Sequence, residues 1–337
     1  MTRTPRWALL GAALAGLLTP LLVQPTQAAA PVYVALGDSY SSGTGTRSYI
    51  DDGTECMRST QAYPSLIAAG RGYELNFRAC SGATIPDVTS TQLGALSAAT
   101  NVVTISIGGN DAGFADVLTE CALPGWASDC DGAIDGAQSF VDGTLPAQLA
   151  SLYADIRGRA PSAQVTVVGY PRIFMGKDCN ALTWFSPEEE ARLNAIADLI
   201  DARTSAAASA AGFGFADPTS AFIGHAVCDD PEWLNGLSNP IAESYHPNAL
   251  GHANGYTPVV SAATGLALAV TPKLSASSDA MAADLAARQR PYAAADRRIE
   301  PERFVLPDLT SPEVRRAART AGIDLDRFIA RSERAAR

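Results

Sequence analysis

The chain contains only three histidines, at positions 225, 246 and 252, so few residues can serve as a general base near neutral pH. Histidine is the side chain most often used for that role. A serine hydroxyl is a weak nucleophile until an adjacent base removes its proton. Ser39 is a candidate partner, because it follows an apolar run directly in the tetrapeptide Gly-Asp-Ser-Tyr. A single histidine is more often structural than catalytic, so the surrounding elements must decide which one is used.

Short β-rich runs alternate with helical patterns along the chain. The predicted strands are Val32–Leu36, Leu75–Ala79, Val102–Ile107, Val165–Val168 and Phe213–Phe215. Nearly continuous apolar strands that alternate with helices indicate a parallel sheet covered on both faces. We therefore predict an α/β fold, a three-layer α/β/α sandwich with about five parallel strands. A capping box at Ser186 and Glu189 predicts a long helix that runs to about Ala211.

Three of the predicted strands end at small or polar residues. Ser39, Gly82 and Asn110 follow the first, second and third strands. Ligands of open α/β sheets bind outside the carboxyl ends of the strands. Taken singly, these residues have ordinary structural interpretations as a helix cap and as turn residues. Their common position at one edge of the sheet favours a catalytic interpretation.

Four sequence blocks in order carry a family resemblance. They are Gly-Asp-Ser-Tyr at Ser39, Cys-Ser-Gly-Ala-Thr around Gly82, Gly-Asn-Asp at Asn110, and Glu243-x-x-His246-Pro. Over roughly residues 31–266 the chain resembles the SGNH, or GDSL, hydrolases, and especially the secreted lipases and esterases of actinomycetes. Tyr40 stands where the family name has Leu. The Gly-x-Ser-x-Gly motif of α/β-hydrolases is absent around Ser39.

The resemblance implies a flavodoxin-like hydrolase fold and a role for each residue. Ser39 would be the nucleophile, and His246 would take its proton and return it to the leaving group. The main-chain N–H groups of Ser39 and Gly82 and the side-chain amide of Asn110 would form the oxyanion hole. One such donor is worth about 3–4 kcal/mol in the transition state. The histidine would be oriented either by the Glu243 carboxylate, where relatives usually have Asp, or by a main-chain carbonyl near Ser244.

Residues 1–30 have the order of a secretion signal, with two arginines, an apolar run and an Ala-Ala-Ala end. We expect a secreted protein without stable membrane insertion after cleavage. The six cysteines then favour three disulfides. Fifteen pairings are possible, of which the sequential one is the simplest. The cysteines are Cys56, Cys80, Cys121, Cys130, Cys179 and Cys228.

The charge is divided unevenly along the chain. Residues 31–265 contain 25 acids and 10 bases, whereas residues 267–337 contain 10 acids and 13 bases. The acidic part would be repelled by phosphate backbones, so nucleic-acid binding is not expected. The Ala- and Arg-rich extension, residues 267–337, has a helix start at Ser311. It is expected to be a mobile or loosely docked helical, partly disordered segment, or else an amphipathic arm onto the cell envelope or the acidic domain.

No nucleotide-binding glycine motif appears, and we expect no cofactor and no metal. The predicted function is hydrolysis of carboxylic esters, foremost lipid esters, by a monomeric enzyme. The alternatives are a carbohydrate acetylesterase, a thioesterase, or a silent binding module with this fold. Residues 47–57 and 121–130 are the expected walls of the substrate pocket. Activity is expected to fall in acid, near pH 6–7, as His246 becomes protonated.

Overall fold

A computed structural model describes residues 1, 2, 4, 29–300 and 303–335. One parallel five-stranded sheet forms its centre, with strand order β2-β1-β3-β4-β5. This confirms the predicted α/β fold, and the strand positions agree within a few residues. The strands are β1 Val32–Gly37, β2 Glu74–Phe77, β3 Thr100–Ser106, β4 Gln164–Val168 and β5 Gly214–Ala216.

Helices cover both faces of the sheet. On one face α2 packs against α8 and α9, and on the other α7 packs against α5 and α6. The helices are α1 Ser39–Ser42, α2 Tyr63–Arg71, α3 Ile85–Asp87, α4 Phe114–Cys121, α5 Cys130–Gly143, α6 Leu145–Arg159, α7 Pro187–Ala210, α8 Thr257–Ala263, α9 Pro272–Asp279, α10 Ala282–Gln289, α11 Ala293–Asp296, α12 Pro312–Ala321 and α13 Leu325–Ala335.

The strand order places the site. The chain leaves β1 for β2 on one side and later adds β3, β4 and β5 on the other, so the connections diverge above β1 and β3. Such a switch point opens a crevice at the carboxyl ends of the strands. Ser39 follows β1 at this point, and Asn110 lies four residues beyond the end of β3.

The predicted cap of the long helix is present. Ser186 Oγ accepts a hydrogen bond from the Glu189 N–H, and the Glu189 carboxylate accepts one from the Ser186 N–H. This reciprocal pair satisfies two N–H groups that a helix start leaves without partners. Helix α7 ends at Ala210, close to the predicted end, and buries one face against the sheet.

Three disulfides join the cysteines in sequential pairs: Cys56–Cys80, Cys121–Cys130 and Cys179–Cys228. This is the simplest of the possible pairings. The predicted apolar run of the secretion signal falls on residues 7–23 and lies outside the described residues. Within the part of the chain that the structure describes, no helix is both long and apolar enough to cross a membrane.

The C-terminal extension is helical and packs against the domain that contains the sheet, whereas a mobile or loosely docked segment was expected. Helix α9 packs on α2, and α10 packs on the edge strand β2. Asp296 in this extension is 2% exposed and pairs with Arg58 and Arg78, which are also buried. A carboxylate enters such a position only where charged partners replace its water. The extension is therefore a built part of the fold.

Candidate active site

A tight turn after β1 positions Ser39. Gly37 has φ +120°, and a Cβ there would lie 2.3 Å from the Ser106 main-chain oxygen on β3. Only glycine permits this approach of two backbones. Asp38 follows as the N-cap of α1, and its carboxylate accepts a hydrogen bond from the Tyr40 N–H at 3.0 Å. The turn thereby fixes Ser39 at the first position of a short helix.

The Asp38 carboxylate is buried and accepts several hydrogen bonds. Besides the Tyr40 N–H it accepts hydrogen bonds from the Ser106 hydroxyl at 2.7 Å and from the Tyr170 hydroxyl. Burial raises the pKa of Asp38 to about 6, against the effect of these bonds. This residue therefore holds the turn in place between β3 and the end of β4.

Ser39 and His246 are in direct contact. The distance from Ser39 Oγ to His246 Nε2 is 2.8 Å, and His246 Nδ1 lies 2.9 Å from the Ser244 carbonyl oxygen. A carbonyl only accepts, so Nδ1 carries the proton and Nε2 is left as the acceptor. In this tautomer the imidazole is oriented to take the proton of the serine hydroxyl.

The structure does not bring Glu243 to His246. Its carboxylate accepts hydrogen bonds from Arg47 Nε at 2.6 Å and from the Tyr49 hydroxyl at 2.8 Å. Glu243 is 1% exposed, so these two donors replace its water and hold it in place. The sequence left open whether Glu243 or a main-chain carbonyl near Ser244 orients the histidine, and the Glu243 carboxylate does not bond to it. Of the two alternatives, the Ser244 carbonyl occupies the position beside Nδ1.

The segment that carries His246 is tied to neighbouring elements. Asn235 pairs with it through the main chain, donating to the His246 carbonyl and accepting from the Tyr245 N–H, both at 2.9 Å. The Tyr40 hydroxyl donates to the Tyr245 carbonyl at 2.7 Å. The helix that begins at Ser39 and the loop that carries His246 are therefore linked directly, which limits their relative movement.

The histidine is desolvated by its surroundings. Burial lowers the pKa of His246 from 6.5 to about 4, while the hydrogen bond to Ser244 and the charge of Glu243 act in the opposite direction. A lowered pKa keeps the imidazole neutral, and so able to accept a proton, across the neutral range.

Asn110 and Gly82 follow β3 and β2, the two strands that flank β1 and Ser39. Asn110 lines the same pocket as Ser39 and His246, and its Nδ2 donates to the Ala83 carbonyl at 2.9 Å. Gly82 has φ +81° and shares a polar groove with Asn110. The structure thus brings both predicted donors to the edge of the sheet where Ser39 lies.

A pocket with a largely apolar lining opens beside the serine and the histidine. It is lined by Asp38, Ser39, Tyr40, Gly109, Asn110, Phe114, Ala115, Leu118, Tyr170, Pro171, Ile173, Ala197, Ile200, Ser244, Tyr245, His246 and Phe304. None of these belongs to residues 47–57 or 121–130, so the prediction that those two segments form the pocket walls is wrong. They come from α4, the segment after β4, α7 and the C-terminal extension.

The other two histidines have structural positions. His225 stacks on Trp233, with ring centroids 3.7 Å apart, and its Nδ1 bonds to the Pro231 carbonyl at 2.8 Å. His252 is fully buried and packs beside the rings of Tyr63 and Tyr256, and burial lowers its pKa to about 3. Neither lines the pocket of Ser39.

Several residues of the site were not predicted from the sequence. Tyr170 could have been found, because it lies two residues beyond the predicted strand Val165–Val168, as Ser39 lies three residues beyond the first predicted strand. Arg47 and Tyr49 have no local signal, since their contact with Glu243 joins segments 196 and 194 positions apart. Phe304 lies in the extension and also had no signal.

Comparison with known proteins identifies relatives over most of the chain. A lipase of Streptomyces rimosus is 45% identical over 263 residues, which are 77% of this chain and 94% of the relative. Lipase 1 of Streptomyces coelicolor is 46% identical over 256 residues, covering 75% of this chain and 93% of the relative.

Solved structures of two Streptomyces enzymes also match this chain. The crystal structure of the extracellular lipase from S. rimosus matches with a TM-score of 0.66 and 46% identity, covering 69% of this chain and all of that one. A phospholipase A1 from Streptomyces albidoflavus matches with a TM-score of 0.66 and 43% identity, over 70% of this chain and all of that one. A family model, the GDSL-like Lipase/Acylhydrolase family, matches residues 35–253. The chain therefore belongs to the GDSL-like lipase/acylhydrolase family and is a carboxylic ester hydrolase.

Proposed function

We propose that this enzyme is a secreted serine hydrolase that cleaves lipid carboxylic esters through an acyl-enzyme on Ser39. The observation that carries the proposal is the relay of Ser39 Oγ, His246 and the Ser244 carbonyl, with contacts of 2.8 and 2.9 Å. Such a nucleophile–base–orienter arrangement is the geometric signature of acyl transfer.

The first half of the reaction forms the acyl-enzyme. Ser39 Oγ attacks the ester carbonyl carbon as its proton passes to His246 Nε2. The negative charge then rests on the former carbonyl oxygen, where the N–H groups of Ser39 and Gly82 and the Asn110 amide would stabilise it. Collapse of this intermediate breaks the carbon–oxygen bond of the ester, and the departing alcohol takes the proton from His246.

Water completes the cycle by the same route. His246 takes a proton from a water molecule, whose oxygen attacks the acyl carbon. The bond to Ser39 Oγ breaks, the serine regains the proton from His246, and the carboxylic acid leaves. The Ser244 carbonyl accepts the Nδ1–H bond throughout and stabilises the transient imidazolium. In this proposal Glu243 positions the loop through Arg47 and Tyr49 and takes no part in proton transfer.

A lipid ester is favoured over a short carbohydrate ester by the character of the pocket. Beyond Ser39 and His246 its lining includes the apolar side chains of Phe114, Leu118, Ile173 and Ile200. Apolar walls favour an acyl chain by about 0.8 kcal/mol for each methylene covered. The relatives in Streptomyces are named as lipases, and one matched structure is named a phospholipase A1.

Secretion is supported by the signal-like first 30 residues and by the three disulfides, which persist in oxidising compartments. One matched relative is named an extracellular lipase. Expression of the full chain in an actinomycete host, followed by N-terminal sequencing of the protein in the medium, tests this. We expect a mature start close to Ala28–Ala30, whereas full-length protein retained in the cells would contradict it.

The test of the function is hydrolysis of p-nitrophenyl esters from acetyl to palmitoyl by the wild type and by Ser39→Ala. Loss of the nucleophile is expected to lower kcat by about 10⁶-fold. Ser151→Ala, an exposed serine on α6, is the matched control and should retain full activity. Equal turnover in the wild type and Ser39→Ala would contradict serine catalysis. An optimum at the acetyl ester would favour an acetylesterase over a lipase.

A further inference from the structure

The C-terminal extension reaches the catalytic pocket from outside the family domain. The family match ends at residue 253, whereas Phe304 lines the same pocket as Ser39 and His246. Phe304 is 4% exposed, and its ring packs edge-on against Tyr245, the residue before His246, with centroids 4.9 Å apart. A buried aromatic ring at this place is part of the wall of the pocket.

The segment before Phe304 is anchored in the hydrolase domain. Asp296 binds Arg78 Nη2 at 2.6 Å and Arg58 Nη2 at 2.7 Å, and all three side chains are buried. Ile299 is 5% exposed and belongs to a buried cluster with the Cys56–Cys80 disulfide. These contacts fix the path of the extension toward the carboxyl ends of β1 and β2.

The same segment borders the predicted oxyanion side. Arg298 and Glu300 line the polar groove that also contains Gly82 and Asn110. The extension therefore contributes residues to both depressions that contain Asn110, which is the predicted side-chain donor of the oxyanion hole.

The segment after Phe304 is anchored as well. The Val305 N–H donates to Thr119 Oγ1 on α4 at 3.0 Å. Farther along, Val314 and Ala318 of α12 are buried, and Phe328 of α13 packs on Trp126 at 5.4 Å between ring centroids. With contacts before and after it, the ring of Phe304 is held between α4 and the loop of His246.

We propose that Phe304 sets the acyl-chain length that the enzyme accepts. This inference rests on the proposed function and adds a specificity-determining residue that the family domain does not supply. The acyl chain bound beside Ser39 would run along Phe114 and Leu118 of α4 and meet the ring of Phe304, which closes this side of the pocket. Chains that outgrow the pocket are excluded, because the anchored segment keeps the ring in place.

Changing the size of this side chain tests the proposal. We compare kcat/KM for p-nitrophenyl butanoate and dodecanoate, below their micellar concentrations, in the wild type, Phe304→Ala and Phe304→Trp. Each methylene that gains apolar cover is worth about fourfold. The dodecanoate-to-butanoate ratio should rise about tenfold or more in Phe304→Ala and should fall in Phe304→Trp.

Val305→Ala is the matched control. Val305 is 60% exposed and does not line the pocket, so its truncation should leave the ratio within about twofold of the wild type. The thermal midpoint of each variant is recorded beside its kinetics. If Phe304→Ala fails to fold, Phe304→Trp decides, and an unchanged ratio in that variant overturns the proposal.

Two further results would overturn it. A ratio unchanged in both folded Phe304 variants would show that the ring does not limit the chain. An equal rise for all esters, the acetyl ester included, would show that the segment gates entry without selecting chain length. Failure of the proposed function gives a different picture, namely no ester turnover in the wild type or undiminished turnover in Ser39→Ala.

Discussion

The Nδ1 atom of His246 lies 2.9 Å from the main-chain carbonyl oxygen of Ser244, two residues earlier in the chain. A main-chain oxygen in this position cannot be protonated or lost by substitution of a side chain. It orients the imidazole and selects its tautomer without placing a carboxylate beside the ring. The carboxylate of Asp38, the residue before Ser39, does not contact the imidazole either, because it accepts its hydrogen bonds from Tyr40, Ser106 and Tyr170.

Glu243→Gln should therefore keep most of the activity. The amide oxygen can still accept the hydrogen bond from Arg47 Nε, the amide NH2 can donate to the Tyr49 hydroxyl oxygen, and the contact between His246 and Ser244 is unchanged. We expect kcat/KM for a butanoyl ester within about tenfold of the wild type. Where a carboxylate truly orients the histidine, its neutralisation costs about 10⁴-fold in kcat. A loss of that size in Glu243→Gln would show that the carboxylate acts on His246 directly.

The positions of the strands and of Ser39 could be predicted because their signals are local. An apolar run followed by Gly-Asp-Ser places the serine at a strand end whatever the rest of the chain does. His246 was separated from the two structural histidines by its motif, not by its residue type.

The partner of Glu243 and the course of the extension could not be predicted, because both depend on contacts between distant segments. The three-residue spacing of Glu243 and His246 suits a carboxylate partner. In the structure, however, the Glu243 carboxylate binds Arg47 and Tyr49, which lie 196 and 194 positions earlier in the sequence. Asp296 is an ordinary acid in the sequence, and only the fold shows it between two buried arginines.

Asn110→Ala should lower kcat with little change in KM. The Asn110 amide is aligned at the edge of the pocket by its bond to the Ala83 carbonyl, and in the proposed mechanism it donates to an oxygen that is charged only in the transition state. Removal of one such donor costs about 10²–10³-fold in kcat. Steady-state kinetics on the butanoyl ester measure this, with the exposed Asn254→Ala as control. A rise in KM at constant kcat would instead assign Asn110 to binding of the ground state.

The acid limb of kcat/KM should lie well below the pH 6–7 that an ordinary histidine would give. Burial lowers the pKa of His246 to about 4, so the neutral, proton-accepting form persists as pH falls and is lost only near that value. Protonation of His246 should therefore not lower the activity at pH 6, measured in an assay with an alkaline quench.

Burial also raises the pKa of Asp38 and of Asp111, which follows Asn110, to about 6, so the acid limb must be assigned directly. Carbon-13 NMR of the three histidines follows the His246 ring itself, with His246→Asn identifying its signal. A midpoint near 6.5 for that signal would contradict the desolvated site.

Asp296→Asn should destabilise the whole protein and not only the extension. The Asp296 carboxylate accepts hydrogen bonds from the buried guanidinium groups of Arg58 and Arg78. The Arg78 guanidinium also contacts Gln289 and the ring of Tyr292, which both belong to the extension. Removing one member of a buried ionic network leaves charge without compensation, which costs about 3–5 kcal/mol. Urea unfolding should show this loss of free energy of unfolding in a single transition, whereas Asp284→Asn, an exposed acid on α10, should stay within about 0.5 kcal/mol of the wild type. An unchanged midpoint in Asp296→Asn would mean that the extension is docked without contributing to stability, and the wall that Phe304 forms would then lack its anchor.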